Sequence, residues 1–245
     1  MFFPAVFNLG KAFKQYFEIV PALSDALRDH VYRIRHQVYC EELAFEPQRP
    51  DRRERDEYDT HSLHLLIRDV RSGEFIGCTR IVRARPGDPY YSMPFEKFCA
   101  ATLDRTIIDP ARLPRDTMAE VSRLAVIAQF RKRSNDEKSP LSISDKDFGT
   151  SEQPRFPYIP VGLYLGTIEL ARLNGIDTLF VLTEPRLANH FRKFGVNMQT
   201  IGGAVEHRGQ RIPSMMSTHG TIDGLWAIFR PLYRTIAADV AQQQR

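Results

Sequence analysis

The acidic run Glu54-Arg55-Asp56-Glu57-Tyr58-Asp59 is answered further along the chain by two strand-like segments that each carry an arginine. These are Ile76-Gly77-Cys78-Thr79-Arg80-Ile81-Val82 and Glu120-Val121-Ser122-Arg123-Leu124-Ala125-Val126-Ile127. Asp, Glu and Arg are almost never buried alone, so charge inside an apolar β-type run is either paired or lines a site. The acids before and the arginines after therefore read as one polar cleft.

With 245 residues, 42% of them hydrophobic and 26% charged, the chain can bury a full core, and one domain spanning 1–245 is expected. A net charge of +4 and a pI near 9.0 go with basic clusters at Arg52/Arg53/Arg55, Arg131/Lys132/Arg133 and Arg186/Arg192/Lys193. Such clusters suit an acidic partner, but they are also ordinary solvated faces. They lack the aromatic-basic motifs of nucleic-acid binding, which is not expected. Cys40, Cys78 and Cys99 are odd in number and far apart, the pattern of neither a metal site nor a secreted disulfide framework, and imply a reducing, cytoplasmic setting. Cys40 and Cys78 read as small buried hydrophobes.

The aromatic leader, residues 1–21, lacks a basic start and breaks at Asn8 and Lys11, so it is a poor signal peptide. No run approaches the roughly 18 apolar residues of a membrane span. Phe3, Phe7, Phe13 and Phe17 form one side of a helix in this reading, packed on the core or resting on a membrane surface.

Along the chain, Ala22–Glu42 has helical spacing, with Leu23, Leu27, Val31, Ile34 and Val38 at steps of three and four and Ser24 or Asp25 near its start. Ser62–Asp69 and Phe75–Arg83 form an antiparallel hairpin about Arg71-Ser72-Gly73-Glu74. Residues 86–114 are irregular and Pro-rich with Phe95 and Phe98 as anchors, and 118–128 is a central strand. Residues 131–157 are polar and read as a mobile insertion. A helix from about Val161 to Leu173, a strand at Thr178–Leu182, a short helix at Pro185–Phe194 and one or two strands within 198–217 follow. An amphipathic helix over 222–241 closes the chain. Mixed strands with helices on both sides predict an α/β or α+β sheet of six or seven strands. There is no G-x-G-x-x-G, no G-x-x-x-x-G-K-[ST], no H-E-x-x-H and no G-x-S-x-G, so nucleotide-phosphate, zinc-hydrolase and serine-esterase chemistries lose their usual signatures; no metal site is expected.

At Arg35, Tyr39, Phe45 and Glu54-x-Asp56-x-Tyr58-Asp59, at Gly77-Cys78-Thr79-Arg80-Ile81 and at Glu120-x-Ser122-Arg123-Leu124-Ala125-Val126, the chain resembles the acyl-homoserine-lactone (autoinducer) synthases, a branch of the GNAT-type N-acyltransferases. The resemblance covers about Arg35 to Val126. It departs from the pattern where that family has a tryptophan at Phe45 and a phenylalanine at Tyr39. Val38-Tyr39-Cys40-Glu41-Glu42 and Asp59-Thr60-His61-Ser62-Leu63-His64 are more similar to acyltransferases associated with PEP-CTERM/exosortase systems and to the N-acyl amino acid synthases. Implied are a GNAT-like, mostly antiparallel sheet with a V-shaped splay between central strands and a fatty acyl donor. The acceptor implied is an amino acid, with S-adenosylmethionine as the alternative. The glycine-rich phosphate loop expected after Val126 is replaced by Ala128-Gln129-Phe130-Arg131, which points to a thioester on the phosphopantetheine of an acyl carrier protein rather than to acyl-CoA. Arg131, Lys132 and Arg133 would meet that acidic partner.

Such chemistry needs a proton acceptor and donors for an oxyanion. Glu120 is the candidate base, because a carboxylate in an apolar strand gains basicity by desolvation; Ser122 and Arg123 stand beside it. Arg123 and Arg80 are placed to pair with Glu120 or to grip an acceptor carboxylate. Asp56 and Asp59, with Glu54, orient the acceptor ammonium or fix Arg35. Main-chain groups of Leu124, Ala125 and Val126 hold the donor, and one oxyanion donor typically supplies about 3 kcal/mol. Tyr39, Phe45, Phe95 and Phe98 line the substrate side, with Leu163 and Trp226 as further acyl-tunnel candidates. A structural salt-bridge network across the sheet explains the same charges. His61, His64, His190 and His207 read as ordinary surface or core histidines. The reading outside this class is a non-catalytic protein that touches membrane or a partner through its aromatic leader and the Trp226 helix.

Overall fold

The computed structural model describes residues 8–131, 156–192 and 194–244. Its centre is one sheet in the order β1-β2-β3-β4-β5-β8-β6, with β7 also paired to β8. The strands are β1 (Phe17–Pro21), β2 (Ser62–Asp69), β3 (Phe75–Arg83), β4 (Met118–Val126), β5 (Thr178–Thr183), β6 (Gln199–Thr200), β7 (Val205–Glu206) and β8 (Gln210–Ser217). All neighbours are antiparallel except β4 and β5. The mixed, mostly antiparallel sheet matches the expected class, with eight strands rather than six or seven.

The hairpin β2–β3 runs over the expected residues, and Gly73 supplies the positive φ of its turn. Successive strand residues point to opposite faces. In β2, Leu65 and Ile67 meet the helix α4 (Tyr158–Leu173), whereas His64 turns to Tyr32 of the helix α2 (Asp25–Arg35), so the strand is covered on both sides. Gly162 and Gly166 let α4 lie close on the sheet, since a Cβ at Gly166 would stand 2.7 Å from Leu65 Cδ2 and 2.8 Å from Ile19 Cγ2.

Several boundaries differ from the sequence reading. The helix α1 covers only Leu9–Tyr16, because Phe17 opens β1, which pairs with Leu65–Asp69; the expected aromatic helix side is thereby split. Phe13 is fully buried, so this part of the leader packs on the protein's own core, while Phe3 and Phe7 lie outside the described residues. The helix α2 is capped by Ser24, whose Oγ accepts from the Leu27 N–H, and at His36–Glu42 it widens into a π-helical turn. Three strands occupy 199–217, not one or two. The closing helix divides into α6 (Thr218–Gly224) and α7 (Arg230–Gln243); Pro231 sits at the start of α7, where its missing N–H costs nothing. Of the expected insertion 131–157, residues 132–155 lie outside the described residues. No described helix is long and apolar enough to cross a membrane.

The short helix α5 (Pro185–Arg192) leads to Gly195, which has φ +91° and would place a Cβ 2.2 Å from the Gly224 carbonyl oxygen. That obstacle is backbone, so Gly195→Ala is expected to lower stability by about 2 kcal/mol or more, measured as a fall in urea midpoint at unchanged m.

Candidate active site

The parallel ladder between β4 and β5 ends at Val121↔Val181, although β4 continues to Val126 and β5 to Thr183. Beyond that point the strands part. On its other edge β4 carries a bulge: Cys78 pairs with Ala125 and Arg80 with Ser122, so two β4 residues oppose Thr79, and Arg123 takes φ +52°. A cavity lies at the bulge and the parting. Its lining includes Glu120 and Ser122, which share a sheet face with Arg80, and Tyr164, Thr167 and Ile168 of α4, which cover the other face. The cavity therefore runs through the gap in the sheet.

One flank of the cavity is an ion-pair network. Arg35 is fully buried; its Nε donates to Glu54 at 2.5 Å and its Nη1 to Asp59 at 2.6 Å. Arg80 Nη1 donates to Asp56 at 2.6 Å and Asp59 at 2.9 Å, and its Nε donates to Ser122 Oγ at 3.1 Å. Arg123 reaches Glu46 (3.2 Å), Glu54 (3.1 Å) and Asp56 (3.4 Å), and Arg208 also pairs with Glu46. A short 3₁₀ turn, Glu57–His61, positions the acids: Asp56 Oδ1 accepts from the Tyr58 N–H at 3.0 Å, and Asp59 Oδ2 accepts from the Asp56 N–H at 2.8 Å. Burial opposes ionisation of Glu54, but Arg35 and Arg123 outweigh it and hold its carboxyl at about 2. Asp59 is held lower still, by Arg35 first and then Arg80, against the same burial.

Glu120 stands apart from this network. Among the described residues it makes no ion pair; its Oε2 accepts from the Phe95 N–H at 2.7 Å. Phe95 stacks on Phe180 at 4.4 Å, and Phe180 is the register partner of Glu120 on β5. Burial under this apolar cover pushes the carboxyl up to about 8, against the pull of the Phe95 N–H and of Arg80 and Arg123. A base of this kind lining the cavity suits proton removal near neutral pH.

The cavity brings together Tyr39, Phe45, Arg80, Phe98, Glu120, Ser122, Arg123 and Leu124 of the expected residues. The π-helical turn sets Tyr39 so that its hydroxyl donates to the Leu124 carbonyl at 3.0 Å. Arg35, Glu54, Asp56 and Asp59 lie behind the lining and fix the arginines in front of them.

Other expectations are corrected. Neither Arg80 nor Arg123 pairs with Glu120; Arg80, 1% exposed, is held by two carboxylates instead. Ser122 anchors Arg80. Ala125 and Val126 are core residues paired with Cys78 and Gly77, so Leu124 alone of the three donor candidates faces the cavity. Phe95 contributes its N–H rather than its ring, and Phe98 is half-exposed at the mouth, 4.1 Å from the His207 ring, instead of anchoring a core. Leu163 is sealed in the core and Trp226 is exposed beside Gly195; neither lines the cavity. Arg131 pairs with Glu42; Lys132 and Arg133, like Lys193, lie outside the described residues. The cysteines are buried and free, and burial pushes Cys78 up to about 12.

Sequence reasoning missed Leu187 and Phe191 of α5, Met198, Met216, His207, Arg208 and Arg211. In the sequence only the spacing of Tyr164 and Ile168, four apart on one face of a helical segment, points to this wall.

Residues 34–138 match the family model described as Acetyltransferase (GNAT) domain. No curated protein matches the chain. Among solved structures it is similar to TofI in a ternary complex with an inhibitor and MTA, at 19% identity and TM-score 0.57 over 83% of this chain and 91% of that one. MesI, a CoA-dependent acyl-homoserine lactone synthase, gives 20% and 0.56 over 88% and 94%. FeeM, an N-acyl amino acid synthase from uncultured soil microbes, gives 12% and 0.52 over 85% and 94%. At these identities the likeness is one of fold.

Proposed function

We propose that this chain is an N-acyltransferase that brings an amine against an acyl thioester and moves a fatty acyl chain from acyl carrier protein to the amino group of an amino acid. The observation that carries this reading is the coexistence, in one gap between β4 and β5, of the Glu120 carboxyl, without an ion pair among the described residues, and an apolar chamber walled by Tyr164, Ile168, Leu187, Phe191 and Met216.

In this reaction the acceptor ammonium gives one proton to Glu120, and the freed nitrogen attacks the thioester carbonyl carbon. The oxyanion forms beside the main chain of residues 122–124, where hydrogen bonding to developing charge contributes most. The C–S bond then breaks, the nitrogen's second proton passes to the leaving thiolate, and Glu120 returns its proton to solvent. The products are an amide and a free phosphopantetheine thiol.

The preference for a carrier protein over coenzyme A rests on Glu42. Its carboxylate accepts from the Ala128 N–H at 3.1 Å and pairs with Arg131, placing negative charge at the end of β4 where a pyrophosphate would need donors. S-adenosylmethionine as acceptor, giving an acyl-homoserine lactone, is the second reading, favoured by the fold likeness to TofI and MesI. Both are tested by mass spectrometry of reactions pairing decanoyl- and palmitoyl-carrier protein or the matching acyl-CoA with a pool of amino acids or with S-adenosylmethionine. Acylated amino acids, formed faster from carrier protein, are expected. Methylthioadenosine release moves the acceptor to S-adenosylmethionine, and no acylated product from any pairing rejects acyl transfer.

A further inference from the structure

Four arginines face the cavity, Arg80, Arg123, Arg208 and Arg211, and their partners separate them. Arg80 is buried between Asp56 and Asp59. Arg123 is held by Glu46, Glu54 and Asp56. Arg211 spends its donors on Glu184 and on the carbonyls of His207 and Arg208. Arg208 has one carboxylate, Glu46, which it shares with Arg123, and among the described residues its Nε and Nη1 donate to nothing. Its guanidinium lies 5.8 Å over the Phe45 ring, which gives the charge a flat support without using its donors.

Backbone cost marks the same residue, as it does Arg123 at the bulge. Arg208 sits between β7 and β8 with φ +55°, a left-handed conformation that glycine takes freely and an L-residue with a large side chain rarely takes. Gly209 follows with φ +94°, so the chain has a glycine next door yet keeps arginine in the strained place. Strain held against local preference is a pointer to function.

We propose that Arg208 binds the α-carboxylate of the acceptor through its unused Nη1 donors and thereby selects amino acids over simple amines; this rests on the acyl-transfer reading above. Charge balance supports a zwitterion. Arg35, Arg80, Arg123 and Arg208 are matched one for one by Glu46, Glu54, Asp56 and Asp59, so an acceptor carrying both an ammonium and a carboxylate adds no net charge. Burial, with help from Arg208, Arg123 and Arg211, pushes neighbouring His207 down to about 4, which keeps a further cation from competing for the carboxylate.

The test compares wild type with Arg208→Gly, Arg208→Gln and Arg208→Lys on two matched pairs, phenylalanine with phenethylamine and leucine with isopentylamine, using decanoyl-carrier protein and decanoyl-CoA. Wild type is expected to prefer each amino acid. In the Gly and Gln variants kcat/KM for the amino acid falls at least tenfold more than for its amine, mostly through KM, and Lys restores part of the loss. Arg208→Gly melts no lower than wild type, since relief of the turn offsets a partly exposed ion pair. Equal losses on both members of a pair, or an unchanged amino-acid KM, overturn the assignment. If wild type acylates none of the four, the acyl-transfer reading fails on its own. Arg208 is then judged by calorimetric titration with phenylalanine and leucine, where binding that is absent from wild type or unchanged in Arg208→Gly overturns it.

Discussion

Glu120→Gln is expected to cut turnover by about 10²- to 10⁴-fold, the range of general-base catalysis, while making the fold more stable in alkali. The two effects share one cause. The carboxyl is pushed up to about 8 by burial against Phe95 and Phe180, so the folded protein keeps a proton between about pH 4.5 and 8 that the unfolded chain releases. The folded-state value is raised, so the stability tied to this proton is complete below the ordinary carboxylate range, declines as pH rises towards 8 and is flat above it. At about 1.4 kcal/mol per pH unit the total is roughly 3–5 kcal/mol. Glutamine cannot ionise, yet its amide oxygen still accepts from the Phe95 N–H, now 2.7 Å from Oε2. Denaturant midpoints at pH 5 and pH 9 should therefore differ less in the variant than in wild type. The rate has the opposite sign: the base works only when ionised, so wild-type kcat/KM should climb with pH to a plateau above about 8. A variant that keeps more than a tenth of wild-type turnover, or whose stability falls with pH as steeply as wild type's, removes Glu120 from the role of base.

What was legible in the sequence follows from how local each signal is. The hairpin β2–β3 and the helix α4 announce themselves through period-two and period-3.6 patterns with a glycine at the turn or the stop, and both stand where expected. Strand β1 hid because five residues, Phe17-Glu18-Ile19-Val20-Pro21, carry too little pattern against phenylalanines spaced like a helix; its identity comes from pairing with Leu65–Asp69. The π-helical turn at His36–Glu42 has no sequence signature, yet it sets Tyr39 against Leu124. Burial logic brought the acids and arginines together, but not who pairs with whom. That depends on the bulge at Arg123, which is a property of two strands at once. Arg208 meets Glu46 across 162 positions of chain, and nothing local marks a His-Arg-Gly turn as one wall of a cavity.

The same network carries the largest expected stability effect. Arg35 is wholly buried and joins Glu54 to Asp59. Removing one member of a buried ion pair leaves a desolvated charge behind and costs about 3–5 kcal/mol, a large share of the 5–15 kcal/mol that holds a domain folded. Arg35→Ala should therefore lose about that amount in urea at pH 7, whereas Arg131→Ala, at a pair nearer the surface with Glu42, should lose far less. The acid limb separates the electrostatic cause from the lost side-chain volume. Glu54 is held at about 2 and Asp59 lower, so their contribution is present above the ordinary carboxylate range and disappears as pH falls through those depressed values. Wild type should hold its structure to about pH 3, and Arg35→Ala should unfold at least one pH unit higher, because among the described residues Glu54 keeps Arg123, and Asp59 keeps Arg80 and, once it is protonated, His64 at 3.7 Å. Arg35→Met refills much of the volume without the charge, so its acid midpoint should track that of Arg35→Ala. If methionine instead restores wild-type acid resistance, packing rather than ion pairing is what Arg35 supplies, and the acids at 54 and 59 are not held down by it.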